Sequence, residues 1–172
     1  MAKQEKSLQM TVLMTPDMAN FSGNVHGGSI LKLLDQVAYA CAARYCKSYV
    51  VTISLDQVTF REPIKVGELV TFRAHVNYVG TSSMEIGVKV FAEDIKQKHV
   101  RHTNSCYFTM VAIGDDKKPI AAPPLEIENE FEQKLYDAAK MRKELRNEVI
   151  KRNKEITDGI PDYNADLVGS ED

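Results

Sequence analysis

The fold class this sequence predicts is an α+β domain, with one long helix wrapped by a curled antiparallel sheet of about five strands. Three observations predict it. Ser29 to about Cys46 carries apolar residues at helical spacing on more than one side, which marks a helix covered by other elements. Four later segments alternate apolar with polar residues, or are rich in β-branched and aromatic ones, and short turns join them. A charged helical stretch then follows a proline break, forming a C-terminal extension. One helix followed by an antiparallel meander buries both by curling the sheet over the helix.

In chain order, Leu8 to Met14 reads as a short strand stopped by Thr15-Pro16-Asp17, and a small-residue loop runs on to Gly28. Ser29 is the expected N-cap, since its hydroxyl can accept from an orphan N–H of the first turn. Ile30, Leu34, Val37 and Cys41 form one apolar stripe, and Leu31, Ala38 and Ala42 a second. Asp35 lies on that second stripe, so the spacing predicts a buried carboxylate, which is costly unless something pairs with it. Strands are expected at Tyr49–Phe60, Glu68–Val79, Met84–Ala92 and His99–Ile113. Pro63–Gly67, Gly80–Ser83 and Asp94–Lys98 supply the turns. Such a sheet has two open edges, which invites a second copy to pair at one of them, so a homodimer at least is expected.

Residues 8–125 then form the domain. Ala121-Ala122-Pro123-Pro124 breaks the chain, and 126–157 reads as an amphipathic helix with Phe131, Leu135, Ala138, Leu145, Val149 and Ile156 on one seam. Arg142 and Arg152 interrupt that seam, which weakens it as a free coiled coil. The helix suits either packing along a neighbouring subunit or contact with its own domain through one stripe. Asp158-Gly159-Ile160-Pro161 ends it, and the acidic remainder, 158–172, has the composition of a disordered tail.

A net charge of −2 argues against a nucleic-acid-binding surface, so a polyanionic ligand would need a local basic pocket. No apolar run approaches the ~18 residues of a membrane span, and the first residues lack a signal-peptide core. Cys41, Cys46 and Cys106 have no framework spacing and read as reduced thiols in a cytoplasmic protein. No second Cys or His pair accompanies them, so no metal and no separate cofactor are expected.

The chemistry concentrates at Gly23–Ala42. The first N–H groups of a helix lack internal partners and attract developing negative charge. Gly27 and Gly28 let a carbonyl approach that backbone closely. Asn24 adds an amide donor, and a carboxylate such as Asp35 can serve as a base toward water. These are parts for acyl transfer. No G-x-S-x-G elbow is present, and neither Cys41 nor Cys46 has a His base nearby in sequence. Taken residue by residue, blander roles compete: Asn24 as a turn former, Asp35 as an ion-pair mate of Lys32 or Arg44, and His26 as a loop residue.

The blocks GNVHGGSILKLLDQVAYACAARYC, VTISLDQVTFREPIKVGELV, GTSSMEIGVKV and RHTNSCYFTMVA, in that order, closely resemble the cytosolic acyl-CoA thioesterase (acyl-CoA hydrolase) family of the hotdog fold. The resemblance runs from about Leu8 to Leu125. It implies hydrolysis of fatty acyl-CoA to free fatty acid and coenzyme A, the coenzyme being part of the substrate. It places a catalytic Asn at Asn24 and a catalytic acid at Asp35, with each site shared between two hotdog units. It also implies trimers of dimers, in the cytoplasm, without membrane or nucleic-acid partners. Basic side chains should ring the coenzyme's phosphates; Arg61, Lys65, Arg73, Lys89 and Arg101 are candidates, His26 is a further contact, and Thr81, Ser82 and Ser83 offer hydroxyls. A non-catalytic acyl-CoA sensor is the alternative, and binding alone would require neither Asn24 nor Asp35. A hydroxyacyl dehydratase fits less well, because His26 with Asp35 is a poor match to that chemistry.

Overall fold

The computed structural model describes residues 4–160. Five strands, β1 (Ser7–Leu13), β2 (Tyr49–Leu55), β3 (Leu69–Val79), β4 (Ser83–Asp94) and β5 (His99–Ile113), form one sheet in the order β1-β3-β4-β5-β2. Every neighbouring pair is antiparallel. Helix α1 (Gly27–Cys46) lies against one face and α2 (Glu130–Asp158) against the other. The expected curled sheet around a helix is what forms. Tail residues 161–172 lie outside the described residues.

The core sits between α1 and the sheet. Ile30, Leu34, Val37 and Cys41 are buried as their spacing predicts, against Phe72, Ile86, Phe108 and Met110. On β4, Met84, Ile86, Val88 and Val90 all face this core.

Three local departures have physical causes. Helix α1 begins at Gly27 instead of Ser29, because the His26 ring takes the cap: its Nδ1 accepts from the Gly28 N–H at 3.0 Å. Strand β2 ends at Leu55, short of Phe60; a register shift between Thr52 and Ser54 bends it, and the following residues turn away to support the Asn24 loop. Asp35 is exposed within the protomer, because edge strand β2 stops short of covering that side of α1.

Helix α2 crosses the outer face of the sheet from one edge toward the other. Its Glu132 meets Lys6 just before β1 at 2.8 Å, and Tyr136 stacks on Tyr78 of β3. Further on, Arg142 pairs with Glu85 of β4 at 2.6 Å and covers the Tyr107 ring of β5. Arg146 then reaches Asp56, just past β2, at 2.7 Å. The contact stripe is therefore Glu132, Tyr136, Ala139, Arg142 and Arg146, one position off the apolar seam expected from the sequence except at Arg142, which belongs to both. Phe131, Leu145, Val149 and Ile156 of that seam are exposed, and so is every described residue from Asn147 onward. The layer under α2 is polar and ionic, and Glu85 is only 2% exposed. Close packing there reaches the backbone: a Cβ on Gly87 would stand 2.4 Å from the Asn77 amide nitrogen.

Candidate active site

The loop before α1 is held from within and from below. Gly23 turns the chain at φ 81°, in the left-handed region that glycine adopts without strain. The Asn20 side-chain oxygen accepts from the Ser22 N–H (2.9 Å), the Ser22 hydroxyl (2.8 Å) and the Asn24 N–H (3.1 Å). That saturates its oxygen and leaves its NH2 as the group free to donate. The Val25 N–H donates to the Ile64 carbonyl at 2.8 Å, and Asn24 pairs with Lys65 as an isolated bridge. Asn24 itself is half-buried, and its side-chain amide makes no hydrogen bond among the described residues.

At the start of α1, the Gly28 N–H is occupied by His26, whereas the Gly27 N–H has no partner among the described residues. The Phe60 ring lies 3.7 Å from where a Gly27 Cβ would stand, so it flanks the approach to that donor. Asp35 is two turns further along, on the exposed strip of α1. The Thr52 hydroxyl donates to its Oδ1 at 2.7 Å. Neither Lys32 nor Arg44 pairs with it; Arg44 is bound to Glu5. Tyr39 and Tyr49 meet edge to face beside this strip, and both are exposed.

The remaining site candidates separate. Arg61 and Lys65 are exposed and unpaired among the described residues, and Lys65 borders the Asn24 loop. Arg101 is tied by both terminal nitrogens to Glu68 and also meets Glu62 at 3.0 Å. Arg73 stacks on Phe91. Thr81, Ser82 and Ser83 lie at the far end of β3 from the Asn24 loop, in a hairpin bonded to Ala112 and Ala122. Within one protomer the structure therefore does not bring that turn to Asn24. Thr52 and Asn20 were missed from sequence. Thr52 gives no sequence signal, since only the fold places β2 beside α1; Asn20 had one, in the turn-forming run Asn20-Phe21-Ser22-Gly23. No group of three His, Cys, Asp or Glu residues among the described ones is arranged to hold a metal ion.

A sheet curled over a single helix, with a polar loop at the helix start and a carboxylate on its open side, is the hotdog thioesterase architecture. The thioesterase superfamily profile matches residues 22–98. Protein VdlD of Helicobacter pylori is 52% identical over 139 residues, covering 81% of this chain and 79% of VdlD. YkhA of Bacillus subtilis, named an uncharacterized acyl-CoA thioester hydrolase, is 32% identical over 81% of each chain. An acyl-CoA hydrolase from Staphylococcus aureus, solved with butyryl coenzyme A, coenzyme A and coenzyme A disulfide, superposes with a TM-score of 0.81 at 30% identity, covering 90% of this chain and 94% of that one. Alanine variants of that hydrolase at an Asp, an Asn and a Thr have also been solved. A hexameric acyl-CoA thioesterase gives a TM-score of 0.81 at 32% identity, covering 85% of this chain and 94% of that one. This chain belongs to the acyl-CoA thioester hydrolase family and is a thioesterase. No helix among the described residues is long and apolar enough to cross a membrane.

Proposed function

We propose that the protein hydrolyses fatty acyl-CoA thioesters in the cytoplasm, using composite sites formed where two copies pair along β2, in trimers of such dimers. The single observation carrying this is Asp35: an exposed acid on a long apolar helix, held by Thr52 and lying beside an unpaired sheet edge. A second copy docked on that edge covers the strip and brings its own α1 loop toward the carboxylate.

In the reaction, the thioester carbonyl sits over the open end of α1, where the Gly27 N–H, with that of Gly28 when His26 releases it, stabilises the oxyanion. Asp35 takes a proton from water as the water oxygen bonds to the carbonyl carbon. Collapse breaks the carbon–sulfur bond, and the proton passes to the departing thiolate. Direct attack by Asp35, giving an anhydride that water then cleaves, is the competing route. An asparagine of the facing copy assists. Asn24 has the uncommitted amide. A specific observation favours Asn20 as well: in the Staphylococcus hydrolase the substituted Asn, Asp and Thr are spaced fifteen and seventeen residues apart, and Asn20, Asp35 and Thr52 reproduce both intervals. Arg61 and Lys65 of this copy, with Thr81, Ser82 and Ser83 of the facing one, are our candidates for coenzyme contacts.

The test is a thiol-release assay over acyl-CoAs of varied chain length. Asp35→Ala should abolish turnover by orders of magnitude with the fold intact. Comparing Asn24→Ala with Asn20→Ala assigns the amide by which variant loses kcat. Oxygen-18 entering Asp35 in a single turnover selects the anhydride route. Wild-type turnover in Asp35→Ala ends the assignment, and ligand binding without any turnover in the wild-type protein favours the sensor.

A further inference from the structure

The Asn24 loop rests on the segment beneath it as well as on its own bonds, and that segment is anchored by a pair of charges rarely buried without a reason. Glu68 is 6% exposed and Arg101 is 19% exposed on its side chain. Both Arg101 terminal nitrogens bond the Glu68 carboxylate, at 2.6 and 2.8 Å, and one also donates to the Pro63 carbonyl at 2.8 Å. Its Nε faces Glu62 at 3.0 Å. Glu68 accepts in addition from the Lys65 N–H at 2.8 Å, and its own carbonyl accepts from Met14 at 2.9 Å. Arg101, rooted in β5, thus clamps both ends of the turn from Pro63 to Glu68. The middle of that turn is what the catalytic loop rests on, through Val25 to Ile64 and the Asn24–Lys65 bridge.

For stability alone, apolar residues would serve such a buried place as well or better. A guanidinium fork holding a carboxylate and a carbonyl at once supplies fixed geometry, which a hydrophobic contact does not. Glu68 and Pro63 take three of the five Arg101 N–H donors and Glu62 faces a fourth, so the guanidinium is committed chiefly to this turn. We propose that Arg101 and Glu68 are positioning residues for catalysis, locking the turn that sets the height and orientation of the Asn20–Gly28 loop over the reacting carbonyl. This rests on the thioesterase reading above and deepens it by naming what holds its amide loop in place. Displacing a reacting group by an ångström costs on the order of 100-fold in rate.

The experiment uses the full chain and compares Arg101→Gln, Arg101→Lys, Glu68→Gln and the double variant E68Q/R101Q. kcat and KM for butyryl-CoA and palmitoyl-CoA are read beside Tm and hydrogen–deuterium exchange across residues 18–28. Arg101→Gln and Glu68→Gln should lower kcat by roughly 10- to 100-fold with KM within about twofold, and exchange in the loop should quicken. The double variant, which no longer buries an unpaired charge, should regain most of the lost Tm without regaining kcat. Arg101→Lys keeps the charge but not the fork, so it too should recover Tm before kcat. Recovery of kcat in step with Tm overturns the proposal, because the pair would then be structural only. A rise in KM at unchanged kcat, growing at low ionic strength, also overturns it, by making Arg101 a phosphate contact. An inactive wild-type chain would sink the thioesterase reading itself; an active one with undiminished variants sinks this proposal alone.

Discussion

Thr52→Val is the sharpest probe of the Asp35 assignment. Valine keeps the shape of threonine and removes the hydroxyl that donates to Asp35 Oδ1 at 2.7 Å. A hydrogen bond to a charged acceptor contributes about 1.5–3 kcal/mol. Asp35 is exposed in the protomer, so water can replace part of that bond, and the lower end applies. A loss of about 1.4 kcal/mol in the transition state is about tenfold in kcat. Valine fills the volume of threonine and suits a strand, so neither the protomer nor a joint along β2 gains a clash, and Tm should change little. Thr52→Ser retains the hydroxyl and should recover most of the rate. The assay is steady-state thiol release by the three proteins, with Tm measured in parallel. If Thr52→Val turns over within twofold of wild type, the hydroxyl does not orient a working carboxylate, and Asp35 loses its best structural support.

Arg142→Ala should destabilise the fold by about 3 kcal/mol, because it strips the main partner from the buried Glu85 carboxylate and leaves Arg146 at 3.3 Å and the Asn77 amide at 3.2 Å; chemical denaturation reads it, and Glu85→Gln in the same background should restore part of the loss. The hydrogen bonds from Arg101 hold the Glu68 carboxyl below its ordinary range, so its contribution is full above the unfolded value and lost as pH falls through the folded one. Glu68→Gln should therefore flatten the fall of stability with acid below about pH 4.5, measured by denaturation against pH. Burial pushes the Cys41 and Cys106 thiols up to about 12, whereas Cys46 is half-buried beside Ser48. Ellman's reagent at mild alkaline pH should count one thiol in the folded protein and three after denaturation; prompt reaction of more than one would contradict the packing of α1 and β5.

Much of the fold was legible because it is written in periodicity. The α1 stripe and the alternating residues of β3 and β4 end up facing each other in the core, as their spacing requires. Boundaries were less legible where a polar side chain competes for a backbone donor. His26 captures the Gly28 N–H and moves the start of α1, which no propensity scale anticipates. The α2 seam misled for a different reason. An apolar pattern says which residues avoid water, but here the docking stripe is charged, and Arg142 and Arg146 are matched to Glu85 and Asp56 far away in sequence. Long-range ion pairs of this kind leave no local pattern. Asp35 was legible as the residue to explain, yet its burial was not, because helical spacing cannot say how far a sheet will wrap.

That shortfall of wrapping and the open edge of β2 are one feature seen twice. The sheet ends at β2, and the strip of α1 carrying Asp35 and Tyr39 emerges beside it. Tyr49 of β2 is exposed along the same border, edge to face with Tyr39, so polar backbone and aromatic side chains are both left without cover. Helix α2 cannot supply the cover, since it is committed to the opposite face through Glu85 and Asp56. Whatever closes this border must offer hydrogen-bonding backbone at the level of β2 and an apolar surface at the level of α1. A second copy turned about a two-fold axis offers both from the same residues, as an isologous contact does. In the dimer proposed above, solvent and substrate would reach Asp35 through the joint while its own protomer holds it through Thr52.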